Sequence, residues 1–259
     1  VKITKGSEEC FFAPPESFDE VSLAIRGPEA KHIAVVLRRR PGDVISVVDG
    51  CGGRYCIELT ECSAETIRGH IVEKKEFQPR TPEIWLAPGI IRATRMDLLI
   101  EKCTELGAHA IVPVSTQRSI SLKGVSDSRL ARWQRISIGA MTQSRRVFLP
   151  RVHKPVSLEE LFGVVGTDVT VLFAHPSGKS MHSLKEDELS RARVVSLVGP
   201  EGDFATSELE FLIKHDAIPV SLGTARLRAE TAAMAVLDRL NFLAERRESM
   251  SVMLPDRCE

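Results

Sequence analysis

The chain has 259 residues, 43% of them apolar. That is enough for a packed core and for two modest domains or one large one, and no apolar run approaches the length of a membrane span. Its 35 Lys and Arg balance 35 Asp and Glu, a neutrality that argues against a chain uniformly built for a polyanion.

The distribution of charge says more than the total. Residues 79–155 hold thirteen basic against five acidic side chains, a net of +8, and residues 156–259 hold eleven against seventeen, a net of −6. A basic middle of this kind points to a polyanion partner. The alternative is that these arginines pair with the acidic C-terminal third. The start at Val1 has neither a basic n-region nor an apolar h-region, so a signal peptide is not expected. Cysteines stand at 10, 51, 56, 62, 103 and 258 in no zinc spacing. They read as reduced packing residues of a cytoplasmic protein.

Residues 1–20 are turn-rich. Val21, Leu23 and Ile25 alternate with polar residues as in a half-buried strand. Lys31 to Leu37 reads as a short helix or turn that ends in Arg38, Arg39 and Arg40. Val44–Val48 is a strand, 49–53 a glycine-rich hairpin loop, and Tyr55, Ile57 and Leu59 mark the return strand. Thr66–Val72 is another strand. Short strands at this spacing predict a small barrel over residues 1–78. Gln78 to Pro82 is the linker.

From residue 84 on, strands and helices alternate, which predicts a parallel α/β sheet covered on both faces over 79–259. Ile84–Ala87, Ala110–Val114 and Val169–Ala174 read as strands. Met96, Leu99, Ile100, Cys103 and Leu106 mark a helix that stops at Gly107, and Leu130–Ser144 is a second. Val194–Val198 breaks at Gly199-Pro200-Glu201-Gly202 into a helix whose apolar face is Leu209, Leu212 and Ile213. Ser207 and Glu210 have capping-box spacing at its start. Ile218–Leu222 breaks at Gly223, and a loop with Arg226 and Arg228 enters a last helix near Glu230.

Two strand-to-loop edges with glycine at the turn lie close together in this stretch. Open α/β sheets bind ligands at the carboxyl ends of strands, and glycine lets backbone groups approach a ligand closely. Rival chemistries lack their residues: there is no HExxH or His/Cys cluster for a metal, no G-x-S-x-G elbow, and no complete Walker or Rossmann pattern.

The run GPEGDF, then SLG, then LRAETAAM resembles the signature of the RsmE family of ribosomal RNA methyltransferases, within the SPOUT superfamily. HIAVVLRRRPGDVISVVDG and KCTELGAHAIVPVSTQRS are similar to the family as well. The resemblance implies an N-terminal PUA-like RNA-binding barrel and a C-terminal trefoil-knotted α/β domain that holds S-adenosyl-L-methionine (SAM). It assigns the cofactor to His175 and Pro176, to Gly199, Pro200, Glu201 and Gly202, to Leu222 and Gly223, and to Leu227, Arg228, Thr231 and Ala232. It implies methylation of N3 of a uridine in small-subunit (16S) ribosomal RNA, by a cytoplasmic homodimer that needs neither metal nor membrane. Rivals are another SPOUT enzyme, acting on a ribose 2′-oxygen or a different RNA, and an RNA-binding protein without turnover.

N3–H is a weak acid, so a cation that stabilises the uridinate and a group that takes the proton would drive the reaction. Arg228 and Glu230 are the candidates for these roles, with Glu230 either orienting Arg228 or accepting the proton. Arg38, Arg39, Arg40, Arg92, Arg95, Arg145 and Arg146 are the candidate RNA contacts, because guanidinium forks match phosphate oxygens. The chain departs from the family pattern at Cys10, where an Arg usually precedes the aromatic pair, at Arg145 and Asp203, each usually Gly, and at Ala229, usually Thr.

Overall fold

The structure is a computed structural model that describes residues 9–120, 125–185 and 187–253; Cys258 lies outside them. The chain forms two compact units. One is Val1–Pro79 with Ile138–Leu149, and the other is Arg80–Ser137 with Pro150–Glu259. The sequence places a boundary after residue 78 and gives 138–149 to the second part, whereas these residues sit in the first unit.

In the first unit, β1 (Cys10–Phe12), β2 (Ser22–Arg26), β3 (Val44–Val48), β4 (Gly53–Cys62) and β5 (Thr66–Glu76) form a curled sheet in the order β1-β3-β4-β5-β2. The alternation read in the sequence buries Leu23, Ile25, Ile45, Val47, Ile57, Leu59 and Ile67 in one core. Pro28–Lys31 (α1) runs into a π-type turn, His32–Val36. The added segment is held by the hairpin loop between β3 and β4. Gly52 donates to Val147 O at 3.0 Å, and Leu149 donates to Gly50 O at 2.9 Å. Gly52 has φ +111, and a Cβ there would lie 2.9 Å from the Phe148 ring, so this glycine is required by its neighbour.

The second unit is a six-stranded, all-parallel sheet. Its strands are β6 (Glu83–Pro88), β7 (Ala110–Ile111), β9 (Arg151–Val152), β11 (Val169–Ser180), β12 (Arg193–Val198) and β13 (Ile218–Ser221), in the order β13-β11-β12-β6-β7-β9. A separate parallel pair joins β8 (Val114–Ser115) to β10 (Val156–Ser157). Successive side chains of a strand face opposite sides. Ile84, Leu86, Leu172, Val194 and Val198 enter a core with Met96, Leu99 and Ile100 of α2 (Ala93–Glu105), Trp133 of α3 (Asp127–Gln143) and Val236, Leu237 and Leu240 of α6 (Ala229–Met253). Trp85, Ala87, Phe173, Val195 and Leu197 enter the opposite core, with Leu161 of α4 (Leu158–Val165) and Leu212 of α5 (Thr206–Lys214). Because both faces are covered, these strands read as unbroken apolar runs.

Details at helix ends differ from the sequence reading. The capping box expected at Ser207 and Glu210 is replaced by Glu208, which is buried and accepts from Ala205 N at 2.7 Å and Gln117 N at 2.7 Å. Ala205 has no side-chain acceptor, so only this half of a box exists. Ile213, expected on the apolar face, is 60% exposed. Helix α3 ends in a Schellman arrangement, with Arg146 N donating to Met141 O and Arg145 N to Thr142 O. Arg145 there has φ +56, a conformation that favours glycine. Arg145→Gly is therefore expected to raise stability by about 1 kcal/mol, read as a higher urea midpoint at unchanged slope.

At the amino edge of the large sheet, Glu83 Oε2 accepts from Trp85 Nε1 at 2.8 Å and Arg193 Nε at 3.2 Å, and lies 3.5 Å from Arg151. The Arg193 and Arg151 guanidinium groups lie over the Trp85 ring, and His153 packs beside it. Burial raises the Glu83 carboxyl, but the bonds from Trp85 and Arg193 outweigh it and hold it below its ordinary value. Burial, then Arg151 and Arg193, push the His153 imidazole down. Both groups bind protons more readily in the unfolded chain, so both lose stability on acidification. The midpoint of thermal unfolding is expected to hold above about pH 6.5 and to fall below it, first through His153 and then through Glu83. Calorimetry across pH checks this, and Glu83→Gln should flatten the lower limb.

Candidate active site

Three loops leave the carboxyl edge of the large sheet side by side. The loop after β12 begins at Gly199, where a Cβ would stand 2.9 Å from Asp203 Oδ1. Asp203 N donates to Pro200 O at 2.9 Å, which closes a turn. Asp203 has φ +62. Its side chain accepts from Phe204 N at 2.8 Å, the local bond that lets Asp tolerate this region. Two outside groups hold the loop. Arg118 Nη1 donates to Gly202 O at 2.7 Å and Phe204 O at 3.3 Å, and Gly89 lies flush against Pro200.

The second loop is a bulge inside β11. Ala174 and Lys179 both pair with Val220 of β13, so residues 175–178 are pushed out of the ladder. The strand thus extends past Ala174, where the sequence reading ends it, and His175 and Pro176 ride on the bulge. The His175 Nδ1 atom accepts from Ser177 N at 3.3 Å and lies 2.7 Å from Ser177 Oγ. Gly178 closes the bulge, and a Cβ there would lie 2.5 Å from Val220 N.

The third loop follows β13. Leu222 O accepts from Arg239 of α6 at 2.8 Å, and Gly223 has φ +122. Thr224, Ala225, Arg226 and Arg228 are exposed before α6 begins at Ala229.

Together the loops wall a cavity of about 630 Å³. Of the cofactor residues read from the sequence, His175, Pro176, Gly199, Pro200, Glu201, Leu222, Gly223, Leu227, Arg228 and Ala232 line it. Gly202 and Thr231 do not. Gly202 faces the Arg118 stem, where a Cβ would be 3.2 Å away, and Thr231 is exposed on α6. Ala174, Val198, Asp203 and Ala229 also line it, with Thr224, Ala225 and Arg226. The sequence reading did not assign these to the cofactor, although it named Arg226 in this loop and all but Ala225 adjoin a residue it assigned.

Glu230 is buried in the first turn of α6 and is not itself part of the lining. Its nearest cation is Arg95, with Nε 3.8 Å from Oε1. Its Oε2 has no hydrogen-bond partner among the described residues. The Arg228 side chain makes no ion pair or hydrogen bond among the described residues, while its carbonyl accepts from Ala232 N at 2.8 Å. The Arg228–Glu230 ion pair weighed from the sequence is therefore absent among the described residues.

The candidate RNA arginines divide between the units. Arg38, Arg39, Arg40, Arg145 and Arg146 belong to the first, and Arg92 and Arg95 to the second. Arg38, Arg40, Arg92 and Arg145 are exposed, and Arg39 pairs with Glu9 at 3.4 Å. Arg95 and Arg80 pair with acids of the C-terminal third, Glu201 with Glu230 and Glu245. For these two, internal pairing accounts for the charge. Among the described residues no three His, Cys, Asp or Glu side chains gather to hold a metal, and no helix is long and apolar enough to cross a membrane. Cys103 is buried, which pushes its thiol up to about 12 and keeps it protonated and inert.

The carboxyl edge of a parallel sheet is where α/β proteins commonly hold ligands, and residues 78–241 match the family described as RNA methyltransferase domain. The ribosomal RNA small subunit methyltransferase E of Synechocystis is 33% identical over 89% of this chain and 76% of its own length. That of Bacillus subtilis is 29% identical over 86% of this chain and 91% of its own. A solved structure of the Neisseria gonorrhoeae protein of that name, bound to S-adenosyl methionine, is 28% identical, covers 91% of this chain and 97% of its own, and superposes with a TM-score of 0.81. This chain belongs to the ribosomal RNA small subunit methyltransferase E family, and its second unit has the SPOUT-type fold.

Proposed function

We propose that this chain binds SAM in the cavity and transfers its methyl group to N3 of a uridine in small-subunit ribosomal RNA. The observation that carries this reading is the cavity itself, with the exposed Arg228 on its wall, its side chain paired with no described residue, and the buried Glu230 two residues on. The space is of the size that holds a cofactor. Leu222, Leu227, Ala229 and Ala232 supply apolar walls, and Gly199 and Gly223 leave backbone groups bare for an adenine edge. Glu201 and Asp203 supply negative charge for a cationic ligand. Bound there, SAM supplies an electrophilic methyl group.

The rest of the chemistry falls to the chain. The target base must leave its pairing for N3 to reach the cavity. Arg228 then stabilises the negative charge that develops on the uracil as N3 loses its proton. Glu230 takes that proton or holds the start of α6 in register for it. Arg38, Arg39, Arg40, Arg145 and Arg146 of the first unit contact RNA phosphates in this reading, as does Arg92 of the second. The working form is a cytoplasmic homodimer, and the substrate is RNA within the assembled small subunit.

The test uses purified protein, labelled SAM and small ribosomal subunits from cells that lack the enzyme, with the digested RNA read by nucleoside mass spectrometry. N3-methyluridine that forms only with protein is the expected result. A ribose-methylated nucleoside would reassign the atom. SAM binding by calorimetry without transfer to any RNA would make the chain a binding protein.

A further inference from the structure

Arg95 stands in the first turn of α2, and its guanidinium meets two acids from different elements. Nη1 lies 3.2 Å from Glu201 Oε1, on the loop after β12, and Nε lies 3.8 Å from Glu230 Oε1, in the first turn of α6. The two acids differ in setting. Glu201 is 38% exposed and lines the cavity, whereas Glu230 is 7% exposed, with Oε2 unpartnered among the described residues. A buried carboxylate that loses its cation is strongly destabilised. Arg95 is the sole cation within 4 Å of Glu230 among the described residues. A planar guanidinium has donors on two edges and can hold two acids in fixed relation, which a lysine ammonium on a flexible stem does less well.

We propose that Arg95 is a positioning residue for methyl transfer: by bridging Glu201 and Glu230 it ties one cavity wall to the start of α6 and sets the relation of both to Arg228. This rests on the assignment of the cavity to methyl transfer. It also separates Arg95 from the arginines that contact RNA, since its guanidinium is engaged with carboxylates. The start of α6 carries Ala229 and Ala232 of the cavity lining, so a loosened first turn would misplace the wall and Arg228 together. Misplacement of reacting groups by an ångström costs about a hundredfold in rate.

The experiment compares Arg95→Gln, Arg95→Lys and wild-type protein on small ribosomal subunits, with melting curves to show that each variant is folded. Arg95→Gln is expected to lower kcat about ten- to a hundredfold, with KM for RNA and the salt dependence of RNA binding unchanged. Arg95→Lys should recover part of the loss. Combined with Glu230→Gln, Arg95→Gln should cost no more than the worse single change. An unchanged kcat, or strict additivity, overturns the proposal. A loss confined to KM for RNA, with a shallower salt slope, overturns it too and makes Arg95 a phosphate contact. The same cycle is read in SAM affinity by calorimetry, which needs no turnover. Coupling there, in a wild-type protein that methylates no RNA, refutes the reaction and leaves the bridge; turnover without coupling in either readout refutes the bridge.

Discussion

Arg228→Ala is expected to slow methyl transfer about a hundred- to a thousandfold, the loss typical when one preorganised donor to a developing anion is removed. SAM affinity should stay within about threefold, because the cavity walls remain, the Arg228 carbonyl keeps its bond from Ala232 N, and its side chain bonds no described residue. The split follows from the geometry. Arg228 is exposed on the cavity wall and pairs with no described acid, so its removal leaves no buried charge behind and no helix end uncapped. Its positive charge is available to a group that becomes negative only in the transition state, so the loss falls on kcat. Arg228→Lys keeps the charge and gives up the planar fork, and should lie between the two. Single-turnover rates at saturating SAM, with calorimetric SAM binding on the same preparations, decide the matter. Near-normal turnover of Arg228→Ala would remove Arg228 from the chemistry.

Gly89→Ala is expected to weaken SAM binding about ten- to a hundredfold while the chain stays folded, since overpacking costs of order 1–3 kcal/mol. The added Cβ would lie 2.7 Å from Pro200 Cδ and 2.8 Å from Pro200 N. Gly89 cannot retreat. Its N–H is bonded to Val198 O at 2.8 Å, and it bridges Val114 on the other side. The proline must move, and with it the loop that carries Gly199 and Glu201 into the cavity. Gly163→Ala is the control. It lies in α4 with nothing within 4 Å of the added carbon, so it should leave binding alone and raise stability by about 0.5–1 kcal/mol. Equal SAM affinity in Gly89→Ala and wild-type protein would mean that the loop after β12 does not hold the cofactor.

The sheet was legible because its chemistry is local. Val194–Val198 and Ile84–Ala87 are apolar on both faces and end at Pro or Gly, so short runs and breakers placed them within a residue or two. What stayed hidden depends on partners far along the chain. His175-Pro176-Ser177-Gly178 reads as a loop that ends a strand, and only pairing with Val220 shows the strand resuming beyond it. Gly202 looks like a cofactor glycine beside Gly199, but its lack of a side chain serves Arg118, 84 residues away. Arg95 adds to a basic stretch in the sequence, and two acids over a hundred residues later claim its charge. Ser207 and Glu210 have the right spacing for a cap, yet Glu208 does the work because Gln117 N also needs an acceptor.

The cavity walls come from residues 174–176, 198–201 with 203, and 222–229 with 232, and each of these loops is anchored in the same parallel sheet. No fragment that lacks one of the three strands carries a binding site, so the ligand recognises only the finished second unit. By mass action, SAM present at about a hundred times its dissociation constant adds about 2.7 kcal/mol to that unit's resistance to unfolding. The second unit is therefore expected to resist protease longer as SAM is added, which limited proteolysis across SAM concentrations reads directly.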